Sequence, residues 1–205
     1  MMCMNESGRK CTCMAKLYFK YGAMGSSKTA QALITKFNYE ERGMKVWLAK
    51  PSIDNRDGEM VIQSRIGLKE KAYAIGKDED VYEYFSTIHH HEYNVIIIDE
   101  CQFLTEEQVD QLGRIVIDFD IPVLCFGLRT DFRTRMFPGS KRLLEIAESI
   151  SEIKTICDCG RKATVNARLD EEGNVLTEGE QVFIGGNESY VAMCYKCWLE
   201  KTRNR

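Results

Sequence analysis

The chain has 205 residues, of which 44% are hydrophobic and 29% charged, with a formal net charge of −3. That supports one good core with a small appendage, and it offers no global electrostatic case for a nucleic-acid binder. No apolar run is long enough to span a bilayer, and the first residues, MMCMNESGRKCTC, lack the apolar core of a signal peptide, so a cytoplasmic protein is expected.

Residues 1–15 read as a flexible tail. Cys3, Cys11 and Cys13 lie there without a nearby fourth ligand, and Met14 directly precedes the first strand, which leaves open an upstream start. Leu17 to Ala30, LYFKYGAMGSSKTA, reads as a strand, a tight turn and the start of a helix. Gly22, Ala23, Met24, Gly25, Ser26, Ser27, Lys28 and Thr29 nearly spell the phosphate-binding loop G-x-x-x-x-G-K-[ST], with Ser27 where glycine is expected. In such a loop, backbone N–H groups and the helix N-terminus face phosphate oxygens. Lys28 then reaches the β- and γ-phosphates, and the Thr29 hydroxyl meets Mg²⁺. The loop alone also fits an ordinary strand–turn–helix.

A helix over Lys28 to Arg42 carries Ala30, Leu33, Ile34 and Phe37 on one face and stops at Gly43. Val46 to Ala49 is a buried strand, Lys50 to Gly58 a polar loop with Asp54 and Arg56, Val61 to Arg65 a short strand, and Asp78 to Ile88 a helix. His89, His90 and His91 are read as a solvated loop. Val95 to Ile98 has the β-branched run of a strand buried on both faces. Thr105 caps a helix to about Phe119, Ile121 to Leu128 is the next strand, Arg129 to Gly139 a loop, and Ser140 to Ser149 a helix. Strands alternating with helices predict an α/β fold: a P-loop NTPase-type parallel sheet flanked by helices over 16–152. After about Ile153 regular helix patterns stop, and 153–205 is expected to be a small separate domain.

Two clusters carry further chemistry. Asp99-Glu100 ends the apolar strand where a P-loop protein places an acid on Mg²⁺, so Asp99 shares the metal with Thr29, and Glu100 is free to accept a proton from an attacking hydroxyl. The alternative is a solvated Asp-Glu turn. Nine cysteines in a reducing compartment read as metal ligands or buried small residues rather than disulfides. Cys101 and Cys125 sit in apolar strand contexts and read as core. Cys157-x-Cys159 and Cys194-x-x-Cys197 present four thiolates on two turns, matching structural Zn²⁺, against the alternative of cysteines packed in a core. Between them, Leu176 to Tyr190 reads first as a Gly185-Gly186 hairpin-like loop.

Taken together, the loop near the N-terminus, IIIDECQF, GLRTDF and two cysteine pairs bracketing VFIGGNESY resemble the type II thymidine kinases, the group of cellular and most bacterial enzymes, over roughly Lys16 to Trp198. The resemblance implies a zinc ribbon with a lasso loop, a homotetramer, Mg-ATP and thymidine as reactants, and feedback inhibition by dTTP. It implies Glu100 as base on the nucleoside 5′-hydroxyl, with Met24, Phe103, Leu128 and Phe132 walling the thymine pocket. Tyr190 would lie near the sugar, and backbone groups at Phe183, Ile184 and Gly185 would hydrogen-bond the base. Arg56 and Arg65 match loop positions without an assigned role. Neither a membrane nor a nucleic-acid partner is implied. The competing readings are a zinc-ribbon P-loop ATPase acting on nucleic acid, and a non-enzymatic zinc ribbon with a decayed P-loop.

Overall fold

A computed structural model describes residues 14–56, 58–89, 92–181 and 189–203. In chain order these form β1 (Leu17–Tyr21), α1 (Lys28–Glu40), β2 (Lys45–Pro51), β3 (Val61–Gln63), β4 (Lys69–Lys71), β5 (Tyr73–Ile75), α2 (Val81–Ile88) and β6 (Tyr93–Ile98). There follow α3 (Glu106–Phe119), β7 (Val123–Gly127), α4 (Pro138–Ile146), β8 (Ser149–Glu152), β9 (Val165–Arg168), β10 (Tyr190–Met193) and α5 (Tyr195–Arg203). Six strands make one sheet in the order β5-β2-β6-β7-β1-β8, with every pairing parallel. β3 and β4 form a separate antiparallel hairpin, as do β9 and β10.

The alternation along β6 explains the layering. Ile96 and Ile98 meet Val81 and Phe85 of α2, Val109 and Leu112 of α3 and Leu143 of α4. Val95 and Ile97 meet Ala32 and Leu33 of α1 and Ile62 of the hairpin. A strand buried on both faces needs apolar residues at every position, and the β-branched run supplies them. Parallel strands also place all their C-terminal ends on one edge, and the loops after β1, β6 and β7 open there.

Several boundaries differ from expectation. The helix expected over Ser140 to Ser149 starts at Pro138 and ends at Ile146; Ser149 opens β8, which pairs with β1 alone. An edge strand needs no apolar run, so SISE carried no strand signal. Helical structure does not stop at Ile153: α5 begins directly after Cys194 and carries Cys197 in its first turn, none of its residues is fully buried, and Lys201 and Arg203 in its last turn complement the helix dipole. β4 and β5 are three-residue strands too short for a pattern. His89 is not solvated. It is 5% exposed and stacks on Phe85 at a 5.1 Å centroid distance, with Phe119 edge-on at 5.2 Å. A lone histidine at a helix end fills an aromatic cluster better than its polarity suggests. His90, His91, the three N-terminal cysteines, and Phe183, Ile184 and Gly185 lie outside the described residues. Thr105 caps α3 as expected, through a capping box with Gln108.

Candidate active site

The loop after β1 supplies the first wall. Gly22 has no room for a side chain, since a Cβ there would lie 2.3 Å from the Ile153 carbonyl oxygen and 2.4 Å from Ser26 Oγ. Ser27 precedes α1 in the left-handed region at φ 62° and ψ 26°, the conformation that makes glycine usual at this position. The first turn of α1 contains no acidic residue, so its N–H groups face an open, electropositive space. Lys28 is buried and donates from Nζ to the Ala23 carbonyl at 2.9 Å, folding back over the loop. Burial pulls its pKa down, against the opposing pull of Glu100 and Asp99.

The end of β6 supplies the second wall. Asp99 is 3% exposed, and Thr29 hydrogen-bonds its carboxylate. Burial, then repulsion from Glu100, push its pKa up to about 7, opposed by the Thr29 bond and by Lys28. Its Oδ1 has no hydrogen-bond partner among the described residues. A buried carboxylate oxygen left open beside a threonine hydroxyl is an all-oxygen donor set that suits Mg²⁺.

Glu100 adopts φ 51° and ψ 35°, a left-handed conformation rare for a non-glycine residue, and this turns its carboxylate into the cleft. Both oxygens are held. Oε1 accepts from Arg56 Nη2 at 2.6 Å, and Oε2 accepts from Gln102 Nε2 at 2.5 Å. Arg56 Nε donates in turn to Asp54 at 2.6 Å, and Asp54 lies 3.6 Å from buried Lys50. Burial works to lower the Arg56 pKa, but Glu100 and Asp54 outweigh it and keep the guanidinium charged. Gln102 Oε1 accepts the Leu128 N–H at 2.9 Å, tying the Glu100 carboxylate to the loop after β7.

These walls enclose a cleft of about 370 Å³. Met24, Gly25, Ser27, Lys28 and Thr29 line it, whereas Gly22, Ala23 and Ser26 do not. Opposite stand Asp99, Glu100, Phe103, Leu128, Phe132 and Tyr190. Phe132 is 1% exposed, with Arg133 and Arg168 each 5.5 Å from its ring centre, so it offers little more than an edge. Burial raises the Tyr190 pKa, so the phenol stays neutral. Arg65, in the turn between β3 and β4, also lines the cleft, near enough to depress Lys28. One end thus combines a phosphate-type loop, a lysine and two carboxylates; the other is flat, apolar and aromatic. Such a space accepts a heterocycle and brings a hydroxyl between carboxylate and phosphate.

The four C-terminal cysteines converge. Their sulfur atoms all lie within 4.8 Å of one another, and Cys159 and Cys194 are 3.6 Å apart. Sulfurs about 2.3 Å from a tetrahedral zinc are about 3.8 Å apart, so the cluster fits Zn²⁺. Backbone N–H groups lower the thiol pKa of Cys157 to about 7 and that of Cys194 as well. The short Cys157-x-Cys159 turn closes through Gly160, which has φ 80° and donates its N–H to the Cys157 carbonyl at 2.8 Å.

Sequence reasoning missed Gln102, Asp131, Asn166 and Gln181. Gln102 carried a faint signal, two residues beyond Glu100 in the same turn. Asp131, which accepts from Gln181 at 3.1 Å, lay inside the GLRTDF motif without a role assigned to it, and Asn166 joins three segments far apart in the chain, so it had no local signature.

Comparison with known proteins gives a consistent result. The family model described as "Thymidine kinase" matches residues 15–198. The chain is 52% identical over 183 residues to a thymidine kinase of Legionella pneumophila strain Lens, covering 88% of each chain. It is 46% identical over 191 residues to one from Enterobacteria phage T4, covering 93% of this chain and 98% of that one. Among solved structures, a Pif1 helicase from Candida albicans aligns with a TM-score of 0.42 and 16% identity over 69% of this chain and 36% of that one, too distant to carry an argument.

Proposed function

The chain belongs to the thymidine kinase family, and from that premise we propose how its residues transfer the ATP γ-phosphate to the 5′-hydroxyl of thymidine, giving dTMP. The observation that carries the assignment is Glu100, turned into the cleft between the Lys28–Asp99 end and the apolar end. Glu100 accepts the 5′-hydroxyl proton as that oxygen attacks the γ-phosphorus in line. Arg56 and Gln102 hold the carboxylate in place. Lys28 leaves the Ala23 carbonyl for the phosphates and stabilises the charge spreading over them. The amides of Gly25, Ser27, Lys28 and Thr29 cradle the phosphates. Thr29 and the open Asp99 oxygen hold Mg²⁺, which when bound neutralises phosphate charge.

Met24, Phe103 and Leu128 wall the thymine, Phe132 adds an edge to that wall, and Tyr190 stands at the sugar. Phe183, Ile184 and Gly185 are assigned to the base edge on the resemblance alone. A methyl in such a pocket contributes about 1–3 kcal/mol, so deoxyuridine is a slower but real substrate. Zn²⁺ on Cys157, Cys159, Cys194 and Cys197 holds the C-terminal segment folded, and 16–152 and 153–205 act as nucleotide-binding domain and ribbon. A cytoplasmic homotetramer restrained by dTTP completes the proposal. No described helix is long and apolar enough to cross a membrane. The nucleic-acid ATPase reading is not favoured, because the family match runs through both the loop and the cysteine cluster.

The test is phosphate transfer from Mg-ATP in zinc-loaded protein. ADP release is expected to depend on thymidine, with dTMP formed; release without nucleoside would overturn the proposal. Glu100→Gln keeps the size and one acceptor oxygen, loses the second acceptor and the charge, and cannot take the proton. It is expected to lower kcat by about 10²–10⁴-fold while leaving thymidine KM nearly unchanged. Near-normal turnover would remove Glu100 as the base.

A further inference from the structure

The loop after β1 does not stand alone. Ala23 is 7% exposed and packs among Cys157, Ala163, Ala167, Val175, Met193 and Cys194, inside the apolar cluster of the C-terminal segment. The next residue is tied to the same segment by a side chain. Asn166 of β9 is 3% exposed, and its Oδ1 accepts the Met24 N–H at 2.8 Å. Its Nδ2 donates to the Thr130 carbonyl at 2.8 Å. One amide therefore fixes the phosphate loop on one side and the loop after β7 on the other, where Leu128 and Phe132 also line the cleft.

We propose that Asn166 is a positioning residue that sets the spacing between Met24 and the loop after β7, and so the width of the nucleoside end of the cleft. The inference rests on the thymidine reading given above. Only a group carrying both a carbonyl-type acceptor and a donor makes both bonds. Truncation leaves a buried N–H and a buried C=O without partners, and the two walls drift.

The experiment compares the zinc-loaded wild type with Asn166→Ala and Asn166→Asp. Hydrogen exchange of residues 22–27 without ligand should be faster in Asn166→Ala. Thymidine KM should rise roughly tenfold while kcat stays within about threefold, with zinc content unchanged. In Asn166→Asp, burial should raise the carboxyl pKa, with Glu152 adding to that rise and Arg129 opposing it across the small pocket all three line, and its protonated form reproduces the =O and donor pair. The KM penalty relative to wild type should therefore shrink from about pH 8 to about pH 6. Unchanged exchange and thymidine KM in folded, zinc-loaded Asn166→Ala would overturn the inference. So would equal losses in kcat, thymidine KM and ATP KM, or a penalty in Asn166→Asp that is flat with pH. A wild type inactive on thymidine would instead sink the functional reading, and the exchange comparison would still decide whether Asn166 holds the loop.

Discussion

Ser27 stands where phosphate loops carry glycine, yet its backbone adopts the left-handed conformation that glycine supplies freely. An L-residue there costs roughly 1–2 kcal/mol, partly offset by glycine's larger entropy when unfolded. Ser27→Gly is therefore expected to stabilise the protein by about 0.5–1 kcal/mol in urea denaturation. ATP KM should be equal or lower. Gly22 has a different reason for being glycine than phosphate approach, because it is the Ile153 carbonyl, at the end of β8, that excludes a side chain. Gly22→Ala should destabilise by about 1–3 kcal/mol, read from the same unfolding curves. Asp99 and Glu100 were legible because they are adjacent and end an unmistakable strand. Asn166 was not, because its partners Met24 and Thr130 are 142 and 36 residues away and a lone asparagine has no pattern.

Among the elements, the interior strands were readable and the edges were not. β7 and the Val95 to Ile98 stretch of β6 are buried on both faces, so their composition had to be apolar. β8 and β5 each have one neighbour in the sheet and escaped notice. α5 escaped because none of its residues is fully buried and only Cys197 and Trp198 pack against the C-terminal cluster. Its first turn is held instead through Cys194 and Cys197, with the Trp198 N–H donating to the Cys194 carbonyl at 3.1 Å. Nine-residue helices are marginal alone in water. Removing zinc with a chelator should thus release α5 and the β9–β10 pair while the six-stranded sheet persists. Hydrogen exchange should rise over 190–203 and stay slow over 93–98. Uniform protection after complete zinc loss would show that packing alone holds the segment.

At the scale of the whole molecule, the proposed homotetramer would have to bury apolar surface that one chain leaves in water. Candidates are present on α1, where Ile34 is 46% and Phe37 57% exposed, and in the β3–β4 turn, where Ile66 is 68% exposed. Helical periodicity placed Ile34 and Phe37 on one face with Ala30 and Leu33; the structure leaves Ile34 and Phe37 exposed, because α1 meets its own sheet mainly through Ala30, Ala32 and Leu33. Ile34→Glu with Phe37→Glu should lower the mass measured by light scattering without loss of helical circular dichroism. An unchanged mass would exclude α1 from the interface. The fold class was open to sequence reasoning because alternation and periodicity are local properties; which surfaces meet another copy is not encoded locally. The seating of Ala23 inside the C-terminal cluster has a further consequence, for recombination. A chimera that exchanges residues 153–205 for a relative's would join a foreign socket to a native plug, so swaps should succeed only when residues 22–26 travel with them.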